Sequence, residues 1–529
     1  MSGFLAISLI VAVSFSVWRM VRRTRFFLHS FQLHGYASRP FGAWLRGQLS
    51  DSVIRVSHAL GLLLILLSIW TSAPNWLLFL LWAGTFASSR RYRRDRPKKP
   101  LSWTARMKRL GAITGACLVG FISMPSLVSF SATTQLLSGL WLGDLLSPIA
   151  VWLAAQLAFP VEKRIREGFK KQARSRIAVR PDLEVIAITG SYGKTSVKFA
   201  IREILSQRYP TLATPGSFNT PMGICRVVNN NLTDEHRFAV LEMGMRHPGD
   251  IAELCEIVSP NIAVITSVGV AHMESMGSIE AIAAEKGSLL TYLASDGVAI
   301  LNGDDDRVLD MQRGMSQKVI TVSASGRSAD FRAVDIRYDT NGAQFDVLWK
   351  DERVPFTTRL LGSHNVLNIL MAIAVGHVAD LSLRQMSHAI ARLEPIEHRL
   401  EIKERGGLIV IDDAFNSNPV GAAGAVEVLG KFEGRRVIVT PGMIELGAEE
   451  HALNRAFGGQ IASNVDDAVL VGPERTRPIA EGLISAGFPE SRIHVVKSLF
   501  DAQDWVASNL AHGDVVLFEN DLPDQFNES

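Results

Sequence analysis

The chain has 529 residues, enough for about three domains. Its net charge of +3 is too small to argue for a nucleic-acid partner, and 47% hydrophobic residues with a mean hydropathy of +0.16 are slightly high for a soluble protein. The 3 cysteines, Cys117, Cys225 and Cys255, are scattered without a CxxC partner, which argues against a disulfide framework or a zinc site and suits a reduced compartment.

The first third reads as membrane. Residues 3–18, GFLAISLIVAVSFSVW, carry no charge, and 56–89 is an uncharged stretch divided by the turn-like TSAPN. Between Leu110 and Pro160 the sole charge is Asp144. A spanning helix needs about 20 apolar residues, so the pattern predicts about five spans, near 3–19, 56–72, 75–89, 110–130 and 140–160. Basic clusters follow the first (Arg19, Arg22, Arg23, Arg25), the third (Arg90 to Lys99) and the fifth (Lys163 to Lys171), whereas TSAPN and SATTQ have no Lys or Arg. Cytoplasmic loops are the basic ones. The expected placement is therefore a multi-pass protein of the cell membrane, N-terminus outside and all that follows the last span in the cytoplasm. Asp144 is expected at the outer interface; the other reading is a functional intramembrane acid. The basic stretch 161–180 is read as a topology anchor or as a contact to anionic headgroups.

After it, short apolar runs alternate with helical segments: Val185–Ile188, Phe238–Leu241, Ile262–Ile265 and Val298–Leu301. That rhythm predicts a parallel sheet covered by helices. Two alternating runs then flank Asn341-Gly342, a hairpin signal. A second α/β rhythm begins near 400, with Leu408–Ile411, Val437–Thr440, Ala468–Val471, His494–Val496 and Val515–Phe518. The expected architecture is an α-helical transmembrane domain with a basic linker (1–175), a P-loop ATPase-type α/β domain (176–398) and a Rossmann-like C-terminal domain (399–529).

TGSYGKTS, residues 189–196, lies between the first of these strands and a helix. A phosphate loop needs glycines for close approach and a helix N-terminus behind them. Gly190 and Gly193 would make the turn, Lys194 would reach the β/γ-phosphates and the Thr195 hydroxyl would ligate Mg²⁺. The spacing G-x-x-G-K-T is shorter than the common form. Glu242 ends the next strand, at the edge where ligands of such sheets bind. His272 follows the strand after that, and Lys286 sits on a helix among small and apolar residues. Taken singly, these three are more often a solvated charge, a structural histidine and a snorkelling lysine.

The succession TGSYGKTS, TPGSFNTPMGI, LEMGMRHPGDIAEL, SVGVAHMESMGSIEAIAAEKG, LGSHNVLNILMAIA, EHRLE and DDAFNSNP resembles the Mur ligase family, most of all its dipeptide-adding branch, over roughly residues 180–520. The resemblance implies an ATP-dependent ligase of peptidoglycan synthesis. Such an enzyme phosphorylates a carboxylate, and an amine then attacks the acyl phosphate. In that branch the amine is D-Ala-D-Ala and the acceptor a muropeptide. It implies ATP held by Gly190, Ser191, Tyr192, Gly193, Lys194, Thr195 and Ser196, with Asn365 and Asn368 on the adenine side. It implies Mg²⁺, two ions, held by Thr195, Glu242 and His272, with Lys286 carbamylated and facing the metals. Arg399 would reach the γ-phosphate from the C-terminal domain, Asp413 would contact the ribose or anchor the interface, and Asn219 would lie beside the acceptor.

Four features depart from the pattern. The resemblance does not reach 1–175, where the family has a UDP-sugar-binding domain, so the acceptor is expected to be either UDP- or lipid-linked. Ser288 stands where Glu is frequent, and Phe415 where Tyr is usual. The end, VVLFENDLPDQF, stands where the dipeptide-adding branch carries Lys-Gly-Ser, and ENDLPD by itself reads as a solvated tail. Two other functions remain in view: a membrane-anchored γ-glutamyl or polyglutamate-type ligase, and a non-catalytic membrane scaffold. The expected partners are ATP, a carboxylate acceptor, an amino acid or dipeptide and membrane lipid, with no nucleic acid.

Overall fold

Ser2–Leu33 folds as one helix of 32 residues, because past its first turn it contains neither proline nor glycine to stop it. The computed structural model describes residues 2–48, 53–71, 74–87, 100–414, 417–444 and 446–522. The chain divides into two compact units, residues 1–167 and 168–529.

The first unit is helical, and its spans differ from those expected. Among the described residues two helices are long and apolar enough to cross a membrane, Gly3–Leu33 and Ala105–Leu127; a pair bent by 66°, Ala132–Leu145 and Ser147–Ala178, would make a third. The predicted spans near 56–72 and 75–89 are helices of 15 and 13 residues, Val56–Trp70 and Asn75–Ala87. At 1.5 Å per residue they reach only about 20 Å, against roughly 30 Å of hydrocarbon. The cluster Arg19–Arg25, expected in a loop, lies inside the first helix. The basic cluster at 90–99 falls outside the described residues.

Asp144 is buried within the helical unit, 1% exposed. Its Oδ2 accepts from Arg19 at 2.9 Å and from His58 Nε2 at 2.9 Å. The Arg55 backbone N–H donates to His58 Nδ1 at 3.0 Å, which leaves the ring proton on Nε2, facing Asp144. Arg23, one turn beyond Arg19 and equally buried, donates to Ser147 Oγ at 2.9 Å and to the Val53 carbonyl. Charges in apolar surroundings persist only when paired, and these residues pair across the helices. Arg19 lies over the Phe86 ring at 4.4 Å, and Phe86 belongs to an apolar cluster with Ala12, Leu64, Leu78, Trp82 and Leu140.

The second unit holds two sheets. The larger has the order β2-β3-β1-β4-β5-β6-β7-β8-β9. Its strands are β1 (Glu184–Thr189), β2 (Thr211–Ala213), β3 (Phe238–Glu242), β4 (Ile262–Ile265), β5 (Val298–Asn302), β6 (Lys318–Ser323), β7 (Phe331–Asp339), β8 (Gly342–Trp349) and β9 (Glu352–Thr358). Pairing is parallel through β7, after which β7, β8 and β9 form an antiparallel meander. The expected hairpin is present, with Thr340 and Asn341 as its loop and Gly342 already paired to Asp339. The near-continuous apolar strands are buried on both faces, as parallel sheets require. Helices Lys194–Leu205 and Ser363–Val378 cover one face, and helices Pro221–Asn231 and Ile279–Thr291 the other.

The smaller sheet has the order β10-β11-β15-β12-β13-β14. Its strands are β10 (Glu401–Arg405), β11 (Leu408–Asp413), β12 (Arg436–Thr440), β13 (Asp467–Val471), β14 (Ile493–Val496) and β15 (Val515–Glu519). Only β10 is antiparallel. In the larger sheet the chain leaves β1 toward β2 and β3 on one side and later crosses to β4 on the other, so β1 and β4 flank the point where the strand order reverses. Crevices at such points, outside the carboxyl ends of the strands, are where open α/β sheets bind ligands.

Candidate active site

The loop between β1 and helix Lys194–Leu205 is built by two glycines. Gly193 has φ +81°, and a Cβ there would overlap the Asn368 side chain; a Cβ on Gly190 would overlap Thr266 Oγ1. The loop is tied to the residues after β4: Ser191 N–H donates to the Ser267 carbonyl at 2.8 Å, and Gly269 N–H donates to Ser191 Oγ at 2.8 Å. No side chain caps the helix that follows. Its first N–H groups and positive dipole end therefore point at the crevice lined by Tyr192, Gly193 and Ser196, which makes an anion site. Lys194 Nζ curls over the loop, donating to the Gly190 carbonyl at 2.6 Å. Burial lowers the Lys194 pKa, with Glu242 opposing the shift, and burial pushes the Tyr192 phenol up to about 12.

Glu242, at the carboxyl end of β3, gathers the polar groups here. Thr195 Oγ1 donates to its Oε2 at 2.9 Å and Asn219 Nδ2 to its Oε1 at 3.1 Å. Lys198, one helical turn after Lys194 and fully buried, makes an ion pair with Oε2 at 3.1 Å and also reaches the Gly216 carbonyl. Burial pushes the Glu242 carboxyl up, but Lys198, Lys194 and the Thr195 hydroxyl together hold it below its ordinary value. Thr195 and Glu242 thus place two hard oxygens side by side next to the anion site. Mg²⁺ takes one or two carboxylates together with phosphate oxygens and water, so the donor set fits it. Among the described residues no three His, Cys, Asp or Glu side chains form a metal cage of their own.

His272 follows β4 in a left-handed conformation, φ +66°, a position that non-glycine residues adopt rarely and that clusters at functional sites. Lys286 is 2% exposed on helix Ile279–Thr291. Burial, and then the charge of Lys194, drive its pKa well below the ordinary lysine value.

The crevice continues as a cavity of about 650 Å³ between the two α/β domains, lined among others by Asn365, Asn368, Arg399 and Asp413. Asn368 Nδ2 donates to Asn365 Oδ1 at 3.2 Å, so the two asparagines orient one another. Arg399 reaches across from the smaller domain, its guanidinium 3.4 Å from Thr195 Oγ1. The turn that presents it is strained: His398 and Leu400, on either side, have φ +60° and +49°. The paired acids at the end of β11 hold it there. Asp412 accepts from His398 Nδ1 at 2.8 Å, and Asp413 from the Leu400 N–H at 3.1 Å. Burial raises the Asp413 pKa to about 6. Beside Arg399, burial lowers the His364 imidazole to about 4.

Thr195 and Asn219 thus both meet Glu242, and Arg399 reaches Thr195 from the other domain. Three residues of this site go unmarked in the sequence reading. Lys198 was legible only as the residue four after Lys194 and so on the same helix face. His364 stands beside Asn365 in SHNVLN. Glu519 ends β15 opposite Asp413, 1% exposed, in a stretch expected to be solvated; Asn520 and Leu522 are buried as well. Phe415 lies outside the described residues.

A strand-bordered glycine loop, a strand-end carboxylate and an arginine from a second α/β domain define a nucleotide-dependent, two-domain enzyme fold. The profile of the Mur ligase middle domain matches residues 188–376, and that of the Mur ligase glutamate ligase domain matches 398–519. UDP-N-acetylmuramoyl-tripeptide–D-alanyl-D-alanine ligase of Escherichia coli (strain K12) is 34% identical over 293 residues, 55% of this chain and 65% of the relative. The enzyme of the same name from Bacillus subtilis (strain 168) is 32% identical over 338 residues, 63% of this chain and 72% of the relative. Among solved structures, MurF from Acinetobacter baumannii superposes with a TM-score of 0.61 at 26% identity, covering 67% of this chain and 77% of that one. MurF ligase from Thermotoga maritima, crystallised with ADP, shares the fold at 24% identity and a TM-score of 0.60, over 67% of this chain and 80% of that one. The chain belongs to the Mur ligase family. Residues 1–187 lie outside both profiles.

Proposed function

We propose that this chain is a membrane-anchored, ATP-dependent carboxylate–amine ligase that extends a muropeptide in peptidoglycan synthesis, with D-Ala-D-Ala or a similar amine as the added group. The observation that carries this reading is the convergence on Thr195: its hydroxyl meets Glu242 at 2.9 Å from its own domain and Arg399 at 3.4 Å from the other. The relatives named for D-alanyl-D-alanine addition support the choice of amine.

A bare carboxylate resists amines because oxide is a poor leaving group. Transfer of the γ-phosphoryl group to it creates an acyl phosphate, whose phosphate leaves readily. The work is largely positioning and charge neutralisation. The loop 190–196 and the uncapped helix receive the phosphates, Lys194 and Arg399 bear on the moving charge, and Asn365 and Asn368 line the nucleoside side. Asn219 orients Glu242 and lies beside the acceptor. Thr195 and Glu242 would hold one Mg²⁺ and His272 a second; when bound, the ions would supply positive charge against the phosphate oxygens and the acceptor carboxylate. Lys286 is suited to carbamylation, because only an uncharged amine adds CO2 and its burial shifts it toward that form. The product is an anion that faces the metal region instead of repelling it. Closure of the two domains over the cavity excludes water from the acyl phosphate.

The apolar helices of the first unit hold the enzyme in the cell membrane, with the catalytic unit on the cytoplasmic side where ATP is. In that setting the acceptor is a UDP-linked or a lipid-linked muramoyl peptide. The test is mass spectrometry of products from ATP, Mg²⁺ and a panel of acids and amines, including UDP- and lipid-linked tripeptide. An amide formed only when acid and amine are both present supports the reading; ATP consumption that ignores both defeats it. Turnover stimulated by glutamate and not by D-Ala-D-Ala would favour the γ-glutamyl alternative.

A further inference from the structure

Glu519 is the feature of the cavity that phosphoryl transfer leaves unexplained. It pairs with Asp413 across β15 and β11, and both line the cavity. Glu519 Oε1 accepts from Ser417 Oγ at 2.5 Å, while Oε2, buried, has no partner among the described residues. Asp413 gives Oδ1 to the Leu400 N–H. Burial, reinforced by Asp413, pushes the Glu519 carboxyl well above its usual range. A buried carboxyl oxygen without a donor is costly, and a second carboxyl beside it adds to the cost. Both costs vanish when a positively charged donor sits between them.

The backbone shows that this is a formed site and not a loose end. Asn520 adopts φ +68°, which asparagine tolerates better than most residues. Its Nδ2 donates to the Gly442 carbonyl at 2.7 Å and its N–H to the Asp413 carbonyl at 3.1 Å.

We propose that the Asp413–Glu519 pair is the docking site for the ammonium group of the incoming amine substrate. The inference rests on the ligase reading and adds to it which residues select the amine, and with which sign of charge. A primary ammonium has three N–H donors. Glu519 Oε2 and a carboxyl oxygen of Asp413 accept two of them.

The experiment uses the full chain in detergent with ATP, Mg²⁺, UDP-linked muramoyl tripeptide as acid and D-Ala-D-Ala as amine probe. Two readouts are taken: ADP release, and the amine-independent exchange of labelled ADP into ATP through the acyl phosphate. Glu519→Gln is expected to raise KM for the dipeptide about tenfold or more, with KM for ATP and the exchange rate staying within about twofold. Glu519→Asp, which keeps the charge, is expected to lose less. An unchanged dipeptide KM in Glu519→Gln overturns the inference alone. So does a parallel rise in KM for ATP, or loss of exchange in both variants, since the pair would then serve the nucleotide or the fold. A wild-type chain with neither exchange nor ADP release overturns the ligase reading and this inference with it.

Discussion

Glu242 and Lys198 form a buried pair in which each charge depends on the other, and the Thr195 hydroxyl leans on the same carboxylate. Glu242→Gln leaves the Lys198 ammonium buried beside a neutral amide. The variant is expected to need more Mg²⁺ for half-maximal ADP release and to turn over about 10²- to 10³-fold more slowly, as read by a Mg²⁺ titration at saturating ATP. Asp413 gives a pH test. Its folded value of about 6 exceeds the ~3.9 of an unfolded aspartate. Between those values the folded state binds more protons, so stability is highest below the unfolded value and falls as pH rises to the folded one. Above it the loss stays on the order of 2–3 kcal/mol. The charged and titratable groups around Asp413 are Arg399, Asp412 and Glu519. Asp413→Asn keeps the acceptor for Leu400 N–H, so its unfolding midpoint is expected to exceed that of wild type at pH ~8 and to match it at pH ~4. At this scale the sequence was most informative where chemistry is local. Gly190, Gly193, Lys194 and Thr195 are consecutive or nearly so. Lys198 was not legible, because its counter-ion lies 44 residues along the chain. An isolated lysine on a helix reads as exposed until that partner is known.

Among the elements, the strands that announced themselves are the apolar ones. β1, β3, β4, β5 and β11 to β15 all contain the runs read from sequence. β10 was not foreseen: EIKER is mostly charged and forms an antiparallel edge, where charged residues protect an exposed strand. β2 has 3 residues, too few to show a period. The helix bounds differ from the expected spans for a related reason. Spans were drawn where charge stopped, but the first helix runs on through Arg19 and Arg23 to Leu33, and Asp144 and Ser147, far along the chain, receive those two side chains. Asp144→Ala removes the carboxylate that Arg19 and His58 share and is expected to destabilise the helical unit by about 3–5 kcal/mol, seen as a lower melting midpoint in detergent. Gly193→Ala places a Cβ at a left-handed φ and against Asn368. The resulting strain of about 1–3 kcal/mol is expected to appear as weaker ATP binding by calorimetry.

For the whole molecule, two helices among the described residues, or three with the bent pair, are long and apolar enough to cross a membrane, where the uncharged stretches suggested five; Val56–Trp70 and Asn75–Ala87, of 15 and 13 residues, are short against the hydrocarbon. The expressed protein is expected to sediment with membranes, to resist high salt and alkaline carbonate and to be released by detergent. Release by salt alone would show that the apolar helices do not span. The central claim is that ATP activates a carboxylate by phosphorylating it. Its most direct measurement follows heavy oxygen placed in the terminal carboxylate of the muramoyl tripeptide during turnover with ATP and D-Ala-D-Ala. The account predicts one labelled oxygen in each inorganic phosphate released, because the bond that breaks on amine attack joins the acyl carbon to that oxygen. Unlabelled phosphate alongside amide formation would contradict it.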